Sequence, residues 1–140
     1  MVKSCVIFFV LLSLQVGNLA QAAHPDLEKS YQKSWCSSHD GTPEVITPSG
    51  ARVDCMTPEY VVEVEFAGKY CESVGQSILY SRELHRKPGI VLIIEDPFKE
   101  QIFLDRLNKI LSGTEVTYGT NGERSSIKLW IVHREDLVKK

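Results

Sequence analysis

The chain predicts an α/β domain built on a mixed central sheet, and three stretches carry that expectation. Residues 60–66 (YVVEVEF) form a β-branched run in which acidic and apolar side chains alternate. Residues 90–94 (IVLII) are apolar without interruption, the pattern of a strand buried on both faces. Residues 70–85 lie between them with a helical pattern. A strand, a helix and a strand in that order predict a right-handed parallel crossover.

The first 22 residues stand apart from this domain. Lys3 gives a positive charge, residues 5–14 an apolar run, and Ala20-Gln21-Ala22 an A-x-A cleavage site. That is the pattern of a secretory signal peptide, and the run is shorter than the roughly 20 apolar residues of an uncleaved span. Cys5 lies at the start of the apolar run, which argues against a lipoprotein site at its end. The expected destination is secreted or periplasmic. Residues 23–140 then make one domain of ordinary size, with no second apolar stretch long enough to cross a membrane.

Removing Lys3 from a chain of net charge −2 leaves the remainder at −3. A nucleic-acid binder usually carries a basic footprint, so this balance argues against strong non-specific DNA affinity. Arg82, His85, Arg86 and Lys87 form a local basic cluster in sequence. Three cysteines remain after the leader: Cys36, Cys55 and Cys71. In an oxidising compartment an odd count leaves one thiol over. Cys36 with Cys55 is the expected pair, which ties the first helix to the strand bearing Asp54. The alternative is three reduced, partly buried thiols. No Cys-x-x-Cys occurs and the histidines are scattered, so zinc is disfavoured.

The elements follow in order. Residues 24–36 read as a helix, with Pro25 near its start, Asp26 and Glu28 in its first turn, and Leu27, Tyr31 and Trp35 as an apolar stripe. Glu28 reads as a solvated, helix-dipole residue. Residues 37–42 are a loop marked by Asp40-Gly41. Residues 44–47 and 51–55 are short strands around a Pro48-Ser49-Gly50 turn, and 60–66 is the third strand. The second helix covers 70–85, with Val74, Ile78 and Leu84 facing the core. Gly75 costs about 1 kcal/mol in a helix interior, which suggests close packing of the backbone against a strand or a ligand. Lys87-Pro88-Gly89 breaks the helix before strand 90–94. The third helix spans 98–111, with Phe103, Leu104, Leu107, Ile110 and Leu111 inward. A strand at 115–118, a polar turn at 119–126, a strand at 127–132 and a frayed tail complete an α-β-β-β-α-β-α-β-β order.

Chemistry concentrates between residues 53 and 80. Glu63 and Glu65, two apart on a strand, share a face, and Gln76 and Tyr80, four apart on a helix, share another. A hairpin between the second and third strands brings Asp54 near Glu63. Clustered carboxylates suit a hard divalent cation such as Mg²⁺ or Mn²⁺, which can activate water against a phosphodiester.

These residues resemble the PD-(D/E)xK nuclease superfamily. In its pattern an Asp ends one strand, Glu-x-Lys lies on the next, and a helix follows that in one branch carries Gln-x-x-x-Tyr. Asp54 matches the Asp, Glu63 the Glu, and Gln76 with Tyr80 the helical pair. Glu65 stands at the Lys position, as in some members, and Lys69 at the helix start is the candidate replacement. The resemblance spans about residues 28–94. It implies a restriction-endonuclease-like αβββαβ core, a mixed sheet flanked by helices, and metal-dependent endonuclease or exonuclease chemistry on nucleic acid. It further implies Asp54, Glu63 and Glu65 as ligands, Lys69 as a catalytic cation, Gln76 and Tyr80 as substrate contacts, and Glu28 as an added acid. The second expectation is a non-catalytic exported binding module on the same scaffold.

Overall fold

The computed structural model describes residues 25–137; the leader assigned to residues 1–22 lies outside them. Helix α1 is Pro25–Ser38, and three strands follow: β1 Thr42–Ile46, β2 Arg52–Met56 and β3 Tyr60–Phe66. A 3₁₀ turn, Ala67–Lys69, leads into α2, Tyr70–Leu84, and then β4, Lys87–Ile94. Helix α3 is Pro97–Leu111; β5 (Glu115–Tyr118) and β6 (Glu123–Ser126) precede β7, Lys128–His133. The five-stranded sheet has the order β1-β2-β3-β4-β7, while β5 and β6 form their own hairpin. Strands β1, β2 and β3 are antiparallel, and β3, β4 and β7 are parallel. The fold is therefore mixed α/β with a mixed sheet, as the residue pattern predicts.

Each sheet face carries its own core. On one side Tyr31 and Trp35 of α1 pack on Val62, Val64, Val91 and Ile93, with Trp130 against them. The Trp35 and Trp130 rings meet edge to face at 5.0 Å. On the other side Ile90, Leu92 and Ile94 meet Ala67, Leu107 and partly buried residues of α2 and α3. Strand β4 thus feeds both cores, which is why its sequence lacks alternation. Cys36 and Cys55 are joined by a disulfide that fixes α1 to β2, and Cys71 is an exposed free thiol.

Several local expectations are corrected. Strand β4 begins at Lys87, so Pro88 and Gly89 lie inside it, paired with Val61 and Val62. Gly89 serves packing rather than a turn: a Cβ there would lie 2.7 Å from Cζ3 of Trp130 and 3.2 Å from Cγ2 of Val62. His85, left-handed at φ 53°, makes the turn after α2. Val74, Ile78 and Leu84 of α2 pack against the cores as predicted but are only partly covered; the buried residues of the helix are Ser73, Ser77, Tyr80 and Ser81. Small side chains bring the helix close to the sheet. Their hydroxyls are satisfied by donating to the carbonyls of Tyr70, Val74 and Arg86.

The polar stretch 119–126 contains β6, whose exposed residues give no apolar alternation. Ile110 of α3 is exposed rather than inward. Arg134–Leu137 forms a 3₁₀ turn rather than a frayed end: Arg134 pairs with Glu95 at 3.1 Å and Leu137 packs under α1. Gly75 packs against nothing, since a Cβ at this exposed position would meet no atom within 4 Å. Its cost is therefore purely conformational, and Gly75→Ala is expected to stabilise the protein by about 0.5–1 kcal/mol in chemical denaturation.

Candidate functional site

The site grows from a break in the sheet. Strand β2 pairs with β3 only through Cys55–Val62 and Met56–Val61. Val53 packs with Val61 and Tyr80 on the α2 side, whereas Cys55 packs with Trp35 on the α1 side. Regular alternation would put Val53 and Cys55 on one face, so Asp54 marks an irregularity. Across on β1 the register runs Pro43–Cys55 and Val45–Val53, and the intervening Glu44 adopts a left-handed φ of 58°. A non-glycine residue held there within a strand is strained, a condition found most often at functional sites. Where the ladder stops, Asp54 replaces it: its Oδ2 accepts from the Val64 N–H at 2.9 Å.

Glu63 and Glu65 point to the α2 side as their spacing predicts, and they are only 6% and 5% exposed. Their ladder neighbours on β4 are Ile90 and Leu92, so the carboxyls are buried beside apolar surface. Glu65 Oε1 accepts from the Phe66 N–H at 2.9 Å and pairs with Lys69 Nζ at 3.5 Å. Lys69 thus reaches the cluster from the start of α2. Gln76 and Tyr80 follow on α2, and the Gln76 amide donates to the Tyr80 phenol, which also feels the charges of Glu63 and Asp54. Two buried oxygens in this region have no hydrogen-bond partner, Glu63 Oε2 and Gln76 Oε1. Asp54, Glu63 and Glu65 thus feel one another's charge, Lys69 pairs with Glu65, and Gln76 is linked to the acids through Tyr80.

Three residues outside that set join it. Glu28 of α1, half-buried in its first turn, lies near enough to Glu65 for its charge to raise the Glu65 pKa. Glu72 adds its charge to the surroundings of Glu63 and Lys69. Gln32, buried on α1, donates through Nε2 to the Asp54 carbonyl at 2.8 Å. The signal for Glu72 was its spacing of four from Gln76; for Glu28 and Gln32 it was their spacing of four from each other. Two members of the basic cluster are otherwise engaged: Arg86 bonds the Pro58 carbonyl and Lys87 pairs with Glu59.

Burial dominates the electrostatics. Loss of solvent, then the Asp54 and Glu65 charges, pushes Glu63 up to about 9. Burial raises Glu65 to about 7, with Glu28 adding to the rise and the Phe66 N–H opposing it. Asp54 is raised to about 6 by burial, against the stabilising Val64 N–H. Lys69 is raised, chiefly by Glu65. Near neutral pH the cluster therefore stores protons. Among the described residues no three His, Cys, Asp or Glu side chains already converge as a metal-ligand set. Asp54 and Glu65 are instead turned onto backbone N–H groups.

The folded protein holds these protons to higher pH than the unfolded chain does. These groups contribute most to stability below about pH 4, where the unfolded chain is protonated too, and the contribution is lost as pH rises through about 6, 7 and 9. Melting temperatures across that range are expected to fall, and Glu63→Gln should flatten the alkaline part of the decline.

Comparison with protein-family models, with curated proteins and with solved structures finds no match to this chain.

Proposed function

We propose that this chain is an exported, metal-dependent nuclease on a restriction-endonuclease-like αβββαβ core, hydrolysing phosphodiester bonds of nucleic acid. The observation that carries the reading is a buried group of acids at a broken strand pair, beside unpartnered Glu63 Oε2 and Gln76 Oε1. Burying such groups costs stability unless they are paired, and an incoming cation is the partner they lack. The order α1-β1-β2-β3-α2-β4 and the neighbours of β3 support the same core. The disulfide suits the oxidising compartment to which a cleaved leader would direct the chain.

Asp54, Glu63 and Glu65 would hold Mg²⁺ or Mn²⁺, with Glu28 within reach of Glu65. When bound, the cation supplies Lewis acidity and lowers the pKa of water. Lys69 offers an ammonium beside the cluster to offset charge developing on the phosphate, and Glu65, 3.5 Å from it, would accept a proton from water. Gln76 and Tyr80 border the acids on α2; Tyr80 is buried with Val53 and Val61, so Gln76 is the residue that would meet the substrate strand.

A second reading is a non-catalytic binding module, favoured by the absence of a converged ligand set among the described residues and by the net negative charge. Thermal shift with Mn²⁺ separates the two. The nuclease reading expects stabilisation by mass action, lost in Asp54→Asn. Ligation requires ionised carboxylates, so Mn²⁺ affinity is expected to rise steeply between pH 6 and 9 or thereabouts. Lys69→Met should lower kcat by about 10²–10³. Incubation with single-stranded, duplex and branched DNA and RNA tests the reaction itself. No shift and no cleavage with Mn²⁺ would leave the binding module.

A further inference from the structure

A cavity of about 300 Å³ opens on the α1 side of the sheet, the face opposite Glu63 and Glu65. Trp35, His39, Tyr60 and Trp130 line it, together with the Asp40 and Glu59 carboxylates. The rings stand as walls rather than as one flat platform: Trp130 meets Tyr60 at 86° and 5.3 Å, and meets Trp35 at 64°. His39 is stacked on Trp35, with Nδ1 2.8 Å from the Trp35 carbonyl oxygen. The backbone behind the lining is fixed. Asp40 is held at a left-handed φ of 51°, and Gly41 donates to the Cys36 carbonyl at 2.9 Å beside the Cys36–Cys55 disulfide. The turn between β2 and β3 is closed by the Tyr60 N–H on Thr57 Oγ1 at 2.9 Å and anchored by Arg86 on the Pro58 carbonyl. A ligand entering here meets walls already in place, which lowers the cost of binding.

Aromatic faces carry negative potential and attract cations, most strongly where water is excluded. This cluster already does so: Lys87 Nζ stands 5.7 Å from the Tyr60 ring centroid, and Lys128 Nζ 5.9 Å from that of Trp130. Glu59 is paired with Lys87 at 3.5 Å, whereas Asp40 has no ion-pair partner among the described residues. We propose that the cavity is a binding site for a free quaternary ammonium compound of choline size, its charge held between the rings and Asp40. The proposal is independent of the metal-site reading. The lining acids disfavour a stacked nucleotide, whose phosphate they would repel. A bilayer is disfavoured as well, because none of the exposed large apolar side chains among the described residues lines the cavity. Lys128, exposed on β7, is a competing cation that the ligand displaces.

The test is a titration of the isotope-labelled full chain with choline chloride against matched sodium chloride, following the two tryptophan indole N–H resonances. Both are expected to move saturably, in the millimolar range or tighter. Neohexyl alcohol, the neutral carbon isostere of choline, has the shape without the charge and should bind at least about tenfold more weakly. Tyr60→Leu should weaken choline binding about threefold to thirtyfold. Asp40→Asn keeps a residue that tolerates the left-handed backbone and should weaken it about twofold to fivefold. Lys128→Gln removes the competing charge and should tighten it about twofold, a response that a merely apolar pocket would not give. Asp40 and Lys128 are exposed, so these two variants decide the matter if Tyr60→Leu fails to fold. No saturable shift with choline overturns the proposal, as does equal binding of neohexyl alcohol, or unchanged choline affinity in both Asp40→Asn and Lys128→Gln. Association with phosphatidylcholine vesicles without any shift by choline overturns it in favour of a lipid surface.

Discussion

Everything near the acid cluster depends on one constraint: carboxyl groups are buried beside Ile90 and Leu92 where β2 and β3 part. A bare carboxylate in a medium of low dielectric constant costs on the order of 20 kcal/mol, far beyond what a small domain can offset. The protein avoids that cost by keeping protons on Glu63 and Glu65 and by giving Asp54 and Glu65 backbone N–H donors. The arrangement is strained yet tolerable because a separate core on each sheet face keeps the surrounding backbone from relaxing.

The fold was legible where one physical rule dominates. Strand β3 was readable from its alternation, although both of its faces are buried, and helix α2 from its helical spacing. Strand β4 was readable from the absence of alternation, since it has core on both sides. Legibility failed where a residue served a purpose that local propensity does not encode. Gly89 was taken for a breaker because the indole that lies on it comes from Trp130, forty-odd residues later. Ser73, Ser77 and Ser81 gave no hydrophobic signal, yet they are the fully buried face of α2. Gly75 invited a packing explanation that its open surroundings do not support.

The site divides along the same line. Asp54, Glu63, Glu65, Lys69, Gln76 and Tyr80 were found because they lie within one hairpin and the next helix, where spacing sets direction. The contribution of α1 was hidden. Nothing about Gln32 in sequence says that a strand on the far side of a turn will lose its ladder partner and need a donor. The break itself was also invisible, because Asp54 and Glu44 belong to runs that look regular. Long-range loss of regularity is a property of the assembled sheet, and no short window of sequence contains it.

The edge-to-face pair of Trp35 and Trp130 has a practical consequence. The chain contains only two tryptophans, and both belong to this one contact between α1 and β7. Their indoles sit on the sheet face opposite Glu63 and Glu65, with the His39 imidazole stacked on Trp35 at 3.9 Å. Selectively excited tryptophan emission therefore reports a single locus, the seating of the first helix. The protein carries its own optical probe for that helix, with no second chromophore of its kind to blur the signal.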